Sequence, residues 1–412
     1  MTLRLGRRFN IGATALISAA LVTALVAAPA HAAVTISGSG STAVKNLLDV
    51  CIPDYQKASG NTVNYAGGGS GAGRSALTAG TVDFAFSDAA YGSTEAKPSD
   101  FLYIPNVGFP LAIMVKLDGF NDTLNLSAKT LSAIYAGKIT KWNDPAIVAD
   151  NNKTVQVPVY GKEDVYAMKA KVDPKTKKPM KDKKGKTIMV KVKTGTKDVV
   201  TGTKDVVESA KLPSTSITVW FRSDKSGSTG ILTNWLTVLE PTTWTKAGSA
   251  GQQTFTSAFP GDSVPAGTFQ GASGSDGVAN GVASKDGSIG YAETSYATER
   301  KLLIAKLQNG AGEYVAPSPE GTAVFLNNYL PGAKGTLTVD VKSKVSGAYS
   351  LSSFAYGLAY GGGKDAAKQA AVKEFMTYVL TTCATANAVS KGYIVVTGGL
   401  ASVAAANIAA IG

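Results

Sequence analysis

The chain has 412 residues, of which 44% are hydrophobic and 17% are charged, and its 41 Lys and Arg against 29 Asp and Glu give a net charge of +12. This composition can bury a large core, so a disordered chain is excluded. One histidine and two cysteines exclude zinc fingers and disulfide-dense scaffolds, while the charge suggests an anionic partner: nucleic acid, an acidic membrane or a small anion.

The first 32 residues have the pattern of a secretory signal peptide. Three arginines precede an apolar run over residues 11–28, and Ala30-His31-Ala32 gives a small-x-small cleavage site. The alternative is an N-terminal membrane anchor. Cleavage would remove His31, the sole histidine, and would thereby exclude Ser-His-Asp and Cys-His catalysis and histidine-containing zinc sites. The mature protein is expected to be exported to the periplasm.

Beyond residue 33, short apolar runs alternate with segments of helical spacing. This alternation indicates an α/β protein with largely parallel sheets. The pattern predicts strands at 34–36, 63–65, 82–86, 101–116, 217–221 and 288–292, and helices at 43–57, 127–134, 230–239, 277–283 and 365–390.

The two cysteines lie in the first and last of these helical regions. Because an exported protein folds in an oxidising compartment, we predict a disulfide between Cys51 and Cys383. The alternative is a pair of buried thiols.

A lysine-rich segment at residues 162–211 differs from the rest of the chain. It contains 15 lysines and seven acidic residues, a net charge of +8, and repeats the heptad Thr-Gly-Thr-Lys-Asp-Val-Val at 194–200 and 201–207. Its alternating pattern predicts an exposed, hairpin-like insertion. Two interpretations stay open: a docking surface for an anionic partner, or a solvated excursion with no partner, which is the usual role of such a segment.

Two segments share the order strand, Ser/Gly turn and helix, at residues 37–42 and 226–229. The first N–H groups of a helix have no internal partner and lie at the positive end of its dipole, so such a helix start binds phosphate or sulfate. Gly69-Ser70-Gly71 is a third turn of this kind. Each turn alone is also an ordinary helix N-cap.

Arg222 and Asp88 each follow a predicted strand, and both suit an oxyanion site. A guanidinium can hold an oxyanion through two parallel hydrogen bonds, although a surface ion pair is the alternative for Arg222. A buried Asp88 would accept a hydrogen bond from protonated phosphate and would repel sulfate, which carries no proton at neutral pH. The alternative for Asp88 is a helix N-cap.

In combination, these motifs resemble the periplasmic phosphate-binding proteins of bacterial phosphate ABC transporters. The resemblance covers most of the mature chain in the family's order. Lys225 and Ser228 depart from it, since they stand where the family usually has Gly and Thr. The matching stretches are 38–42, 64–71, 82–89, 135–143, 222–228 and 287–291.

The resemblance implies a set of phosphate-binding residues from two lobes. One further residue, Asp224, would pair with Arg222 and orient it. The implied phosphate contacts are Thr42, Ser70 and Asp88 from the first lobe and Arg222, Ser226, Gly227 and Ser228 from the second.

The fold that it implies is a two-lobed periplasmic binding protein of type II, with the ligand cleft between lobes joined by two crossing strands. The first lobe would comprise residues 33–107 and 348–412, and the second residues 108–347. No catalysis, cofactor, metal or nucleic acid is expected. The expected partners are inorganic phosphate and the membrane permease of a phosphate ABC transporter, with the protein itself monomeric.

Three other functions stay open from the sequence. A scavenging or adhesion protein could use the basic insertion to attach to a surface. A sulfate or molybdate binder would keep the fold and change the ligand. A phosphatase is disfavoured, because the mature chain has neither histidine nor a cluster of metal ligands.

Overall fold

The computed structural model describes residues 33–246, 248 and 251–412, and Val34–Gly412 form one compact unit. The predicted signal peptide lies outside the described residues. The strands are β1 (Thr35–Gly40), β2 (Thr62–Ala66), β3 (Phe84–Ser87), β4 (Phe101–Lys116), β5 (Asn125–Leu126), β6 (Lys153–Ala170), β7 (Met189–Glu208), β8 (Thr218–Arg222), β9 (Phe269–Ala272), β10 (Ser288–Glu293), β11 (Leu303–Ile304), β12 (Lys306–Gln308), β13 (Tyr314–Val315), β14 (Leu330–Pro331), β15 (Leu337–Thr338), β16 (Ser352–Tyr360) and β17 (Ile394–Val395).

The helices pack on both halves of the main sheet. A π-helical segment, Val379–Cys383, joins the last long helix to a short one, so the predicted continuous helix 365–390 is divided. The helices are α1 (Lys45–Ser59), α2 (Ser70–Ala79), α3 (Ala128–Tyr135), α4 (Pro145–Asn151), α5 (Gly227–Leu239), α6 (Phe255–Ala258), α7 (Gly274–Ser284), α8 (Thr294–Glu299), α9 (Pro319–Leu326), α10 (Ala366–Tyr378), α11 (Ala384–Asn387) and α12 (Gly398–Ala409).

The main sheet has the strand order β2-β1-β3-β16-β4-β10-β8-β9. Its central strand, β4, has the bounds predicted from its apolar run. The first part of β4 pairs with β16 and the last part pairs with β10, so this strand passes from one half of the sheet to the other. The predicted lobe boundary at 107/108 falls inside β4, and the one at 347/348 falls just before β16.

A second chain segment returns beside β4. The backbone N–H of Leu111 donates to the Leu351 carbonyl at 2.9 Å, and the Tyr349 hydroxyl donates to the Leu111 carbonyl at 2.9 Å. The halves are therefore connected by two adjacent crossing segments, and the expected α/β architecture is confirmed. We refer to the half containing β1–β3 as the first lobe and the half containing β8–β10 as the second.

The expectation of largely parallel sheets is wrong for the middle of the main sheet. Parallel pairs join β1 to β2 and β3, and β8 to β9 and β10. In contrast, β16 is antiparallel to β3 and β4, and β10 is antiparallel to β4. The physical reason is that the two crossing segments carry the chain in opposite directions, so they can pair side by side only as antiparallel strands.

Helices α1, α2, α5 and α7 each follow a parallel strand of this sheet. Because carboxyl ends of parallel strands lie at one edge, these helix starts are brought to the region between the lobes. α2, which begins at Ser70 within the predicted glycine turn, was not predicted as a helix. Two others begin three residues earlier than predicted: α7 at Gly274, and α5 at Gly227, where Ser226 caps the helix by accepting from the Thr229 N–H at 3.2 Å.

The lysine-rich insertion is a two-stranded antiparallel ribbon formed by β6 and β7. It begins at Lys153, nine residues before the predicted start at 162, because pairing already begins with Lys153 opposite Glu208. The prediction of an exposed hairpin is otherwise correct, since most side chains of both strands are exposed.

The heptad repeat within β7 has a structural explanation. Side chains alternate between faces with a period of two, so a seven-residue repeat would move each repeated residue to the opposite face. A β-bulge in each repeat adds one residue and restores the phase. The extra residues are Thr194 and Thr201, whose hydroxyls donate to the carbonyls of Val165 at 3.1 Å and Val159 at 3.2 Å.

Two further predictions from the sequence concern covalent structure and membrane insertion. Cys51 of α1 and Cys383 of the π-helical segment are joined by a disulfide. Among the residues that the structure describes, no helix is long and apolar enough to cross a membrane.

Candidate functional site

The predicted site residues meet at the interface between the lobes, close to the starts of α1, α2 and α5. All seven predicted ligand contacts are buried, and among the six that have a side chain Thr42 is the most exposed, at 5%. The structure therefore brings together residues that lie up to 186 positions apart in sequence, from Thr42 to Ser228.

Asp88 lies at the centre of this group, directly after β3. Its carboxylate accepts hydrogen bonds from three serine hydroxyls: Ser41, Ser70 at 3.2 Å and Ser228 at 3.3 Å. Ser41 and Ser70 belong to the first lobe and Ser228 to the second. No helix begins at Asp88, so the N-cap alternative does not apply to it.

Burial raises the pKa of the Asp88 carboxyl above its usual range. The hydrogen bonds from Ser41, Ser70 and Ser228 and the positive charge of Arg222 oppose this rise, because they favour the ionised form. The site thus contains a carboxylate that is desolvated but surrounded by donors. Such a group can accept a hydrogen bond from a protonated oxyanion.

We expect Asp88→Asn to stabilise the phosphate-free protein at neutral pH. A carboxyl whose pKa is raised by folding favours the folded state only at low pH, and this contribution is lost as the pH rises through the folded-state pKa. The variant should therefore gain about 2–4 °C in melting temperature at pH 7 and less near pH 4. Thermal unfolding followed by circular dichroism across this range measures the difference.

Asp49→Asn is the matched control for this prediction, because the Asp49 side chain is 53% exposed and forms only a surface ion pair with Lys45. The difference in melting temperature between Asp49→Asn and the parent should not increase with pH. A destabilised Asp88→Asn variant at neutral pH would contradict the burial penalty assigned to Asp88.

Arg222 ends β8 and is only 2% exposed. Its Nε donates to Asp224 Oδ1 at 2.7 Å, and its Nη2 donates to Asp224 Oδ2, so the two side chains form a bidentate pair. Burial alone would lower the pKa of Arg222, but the pair with Asp224 raises it and keeps the guanidinium charged. Asp224 also accepts from the Gly274 N–H at 3.0 Å, which attaches the pair to the start of α7. The surface ion-pair alternative for Arg222 is therefore wrong.

The start of α5 lies directly against the first lobe. A Cβ added to Gly227 would lie 2.7 Å from both Asp88 Cβ and Ser70 Oγ, which is closer than real side chains approach. Glycine at position 227 thus allows the first N–H groups of α5 to approach Asp88. Ser226 differs from its neighbours because its hydroxyl already caps α5.

Contacts across the cleft surround the site. Arg74 Nη2 donates to Gln253 Oε1 at 2.7 Å, and the Gly71 N–H donates to the Lys225 carbonyl at 3.0 Å. The Lys225 side chain, at a position where the resembling family usually has Gly, lies 3.2 Å from Glu95 Oε1 across the cleft. The lobes are therefore in contact at the rim, as in a closed cleft.

Ser275 is a site residue that the sequence interpretation missed. Its Oγ lies 3.0 Å from Thr42 Oγ1 and accepts from Arg222 Nη1 at 3.5 Å, while its N–H donates to Thr42 Oγ1 at 3.1 Å. A signal was present, because Ser273-Gly274-Ser275 after β9 repeats the Ser/Gly turn before a helix. Ser41, which donates to Asp88, was also missed.

Glu293, at the end of β10, is a second buried carboxyl that was missed. It is 1% exposed. Burial raises the pKa of Glu293 well above its usual range and the charge of Asp88 adds to this effect, while the charge of Arg222 and a hydrogen bond from Ser275 oppose it. Tyr291 on the same strand supports the site by accepting from the Arg222 N–H at 3.1 Å.

The chemistry available at this site is binding through hydrogen bonds. Hydroxyls, helix-start N–H groups and one guanidinium can donate hydrogen bonds to an oxyanion, and Asp88 can accept a hydrogen bond from a protonated one. Within the described parts of the chain, no group of three or more His, Cys, Asp or Glu side chains is placed to hold a metal ion.

Known proteins are similar to this chain in both sequence and fold. A family model described as a PBP superfamily domain matches residues 26–382. The chain is 28% identical over 347 residues to the phosphate-binding protein PstS of Xylella fastidiosa, covering 84% of this chain and 77% of that protein. It is 31% identical over 287 residues to PstS of Pasteurella multocida, covering 69% of this chain and 64% of that one.

A solved structure shows the same architecture. The crystal structure of the phosphate-binding protein from Stenotrophomonas maltophilia superimposes with a TM-score of 0.59 at 19% identity, covering 91% of this chain and 94% of that one. At this identity the similarity establishes the fold, while the family model and the sequence matches establish the family. The chain therefore belongs to the PBP superfamily and, as its motifs indicated, is similar to the phosphate-binding proteins within it.

Proposed function

We propose that the protein binds inorganic phosphate between its lobes and delivers it to the permease of a phosphate ABC transporter. The observation that carries this proposal is the environment of Asp88, a buried carboxylate that accepts hydroxyl donors from both lobes beside the paired guanidinium of Arg222. The similarity to proteins named as phosphate-binding supports the same ligand.

Each predicted site residue has a role in this proposal. Thr42, Ser70, Ser226, Gly227 and Ser228 donate to phosphate oxygens through hydroxyl or backbone N–H groups, and the Ser226 hydroxyl also caps α5 as an acceptor. Arg222, oriented by Asp224, neutralises part of the ligand charge. Asp88 accepts a hydrogen bond from a protonated oxygen of the phosphate.

Delivery would follow from closure of the lobes. In the proposal, the first lobe comprises residues 33–107 and 348–412, the second comprises 108–347, and rotation about the crossing segments opens and closes the cleft. The closed form, with contacts such as Arg74 to Gln253, would be the form that the permease recognises. The protein would act as a monomer in the periplasm after signal cleavage, without catalysing a reaction.

Isothermal titration of the mature, phosphate-free protein tests the proposed ligand. We expect phosphate to bind at least about 10⁴-fold more tightly than sulfate, because sulfate would leave Asp88 facing an oxygen with no shared proton. Sulfate in large excess should not displace phosphate. Equal affinity for the two anions would rule out the role assigned to Asp88, and heat with molybdate but not with phosphate would indicate a different oxyanion.

A further inference from the structure

The end of the ribbon, residues 171–188, is a concentrated positive surface, which we call the basic tip. It contains eight lysines and two aspartates in 18 residues, a net charge of +6, and no arginine. All eight lysine side chains are exposed. They are Lys171, Lys175, Lys177, Lys178, Lys181, Lys183, Lys184 and Lys186.

The two acidic residues of the basic tip are engaged by its own backbone. Asp173 Oδ1 accepts from the N–H groups of Lys175 at 2.9 Å and Thr176 at 2.8 Å. Asp182 Oδ1 accepts from the N–H groups of Lys184 at 2.8 Å and Lys186 at 2.9 Å. Both carboxylates therefore stabilise turns rather than pairing with lysine ammonium groups.

Three lysines of the ribbon strands pair with acidic residues of the opposite strand. Lys162 pairs with Asp198 at 2.5 Å, Lys193 with Asp164 at 2.5 Å, and Lys197 with Glu163 at 3.0 Å. Across the described residues, no ion pair involves a lysine of the basic tip. The strands are thus nearly neutralised, while the charge of the tip stays available to a partner.

The basic tip has a defined backbone rather than a loose loop. The Lys171 N–H donates to the Ile188 carbonyl at 2.7 Å, the Met180 N–H donates to the Lys171 carbonyl at 2.7 Å, and the Ile188 N–H donates to the Met180 carbonyl at 2.9 Å. These three bonds join three chain segments side by side. The lysines therefore project from two short turns whose ends are held together by these hydrogen bonds, and we call this hydrogen-bonded unit the platform.

The ribbon holds this platform away from its point of attachment. β6 has 18 residues, and at a rise of about 3.3 Å per residue it extends the tip by roughly 55 Å from its attachment at Lys153 and Glu208. A partner at the tip can therefore be engaged at a distance from the base of the ribbon.

Exposed apolar side chains surround the base of the basic tip. Met168 is 59% exposed, Val172 49%, Met189 46% and Tyr166 45%. A surface of flexible lysines next to aliphatic side chains suits the interface of a lipid bilayer, where ammonium groups meet phosphate head groups and apolar groups enter below them.

We propose that the basic tip binds the surface of a bilayer containing anionic phospholipid. Each lysine near such a surface strengthens binding about fivefold, so several acting together give stable, salt-sensitive attachment. Nucleic acid is the less suitable polyanion, because the tip has no arginine, the side chain that most often contacts guanine through paired hydrogen bonds. The biological purpose, holding the binding protein close to its permease, rests on the proposed function.

Vesicle co-sedimentation of the mature protein tests this inference. Vesicles of phosphatidylcholine alone are compared with vesicles that also contain phosphatidylglycerol, at salt concentrations of about 50 mM and about 500 mM. We expect binding only with phosphatidylglycerol and only at the lower salt. Lysine-to-glutamine changes at 175, 177, 178, 181, 183 and 184 should weaken binding about 100-fold or more.

The matched control removes the same number of charges elsewhere. It carries lysine-to-glutamine changes at six exposed positions of the body: 57, 97, 129, 285, 301 and 344. This control should bind vesicles nearly as the parent does, and both variants should keep the parent's phosphate affinity by titration. An equal loss of vesicle binding in both variants would show that only the net charge matters, and it would overturn the proposal. Binding to duplex DNA that depends on the tip, without binding to vesicles, would also overturn it. If the parent itself did not bind phosphate in the titration, the proposed function would be contradicted, whereas its binding to vesicles would still support the inference about the basic tip.

Discussion

Replacing Arg222 by alanine is expected to weaken phosphate binding about 100- to 1000-fold while the protein stays folded. Arg222 is buried at the interface between the lobes and is held by two hydrogen bonds to Asp224. Its loss removes a charge-assisted donor pair from a desolvated site, and truncating such a group costs about 2–5 kcal/mol of binding free energy. Titration calorimetry with phosphate measures the effect.

Two further variants separate binding from folding in this experiment. Arg222→Ala leaves the partly buried Asp224 without its partner, so the double variant Arg222→Ala/Asp224→Asn should recover stability but not affinity. Arg300→Ala removes a guanidinium whose ion pair with Asp276 lies outside the predicted contacts, and it should bind phosphate nearly as the parent does. Unchanged affinity in the folded Arg222→Ala protein would show that this loop is not the ligand site.

Removal of the disulfide by Cys51→Ser/Cys383→Ser is expected to lower the free energy of unfolding by about 3–5 kcal/mol. The bond closes a loop with a sequence separation of 332, so the cross-link removes many conformations from the unfolded chain. Denaturant unfolding of the oxidised parent and the double variant, both without phosphate, measures this difference.

Reduction provides an independent control for the disulfide. The parent in reducing buffer should approach the stability of the double variant, whereas the double variant should not respond to reductant. Because the bond lies in the first lobe and outside the predicted contacts, phosphate affinity should change little under conditions where both proteins are folded. Equal stability of the parent and the variant in oxidising buffer would contradict this stabilising role.

Much of the fold was predictable, because the segments with an apolar pattern in the sequence are the segments that are buried in the structure. The apolar run at 101–116 became β4 without change in its bounds, since a strand buried on both faces needs continuous hydrophobicity. The direction of strand pairing was not predictable in the middle of the sheet. It depends on β16 returning beside β4, a contact between segments about 250 residues apart.

For the ribbon too, some features were predictable from the sequence and others depend on strand pairing. Its alternation and charge predicted an exposed hairpin, but its start at Lys153 depends on pairing with Glu208. The sequence shows the heptad repeat but does not indicate its structural role. Thr194 and Thr201 lie at the two bulges that keep the faces of β7 in phase, which is the structural role of the repeat.

For the site, the sequence alone determined the kinds of group present and their local setting: Ser/Gly turns before helices, Arg222 after a strand, and Asp88 after another. These features depend on neighbours in the chain, so local pattern is enough to identify them. Only the tertiary structure decided that Asp88 meets Ser228 from the opposite lobe, that Ser275 contacts both Thr42 and Arg222, and that Glu293 is buried beside them. The reason is physical: burial and convergence arise from the packing of two lobes, and no short stretch of sequence contains both sides of that interface.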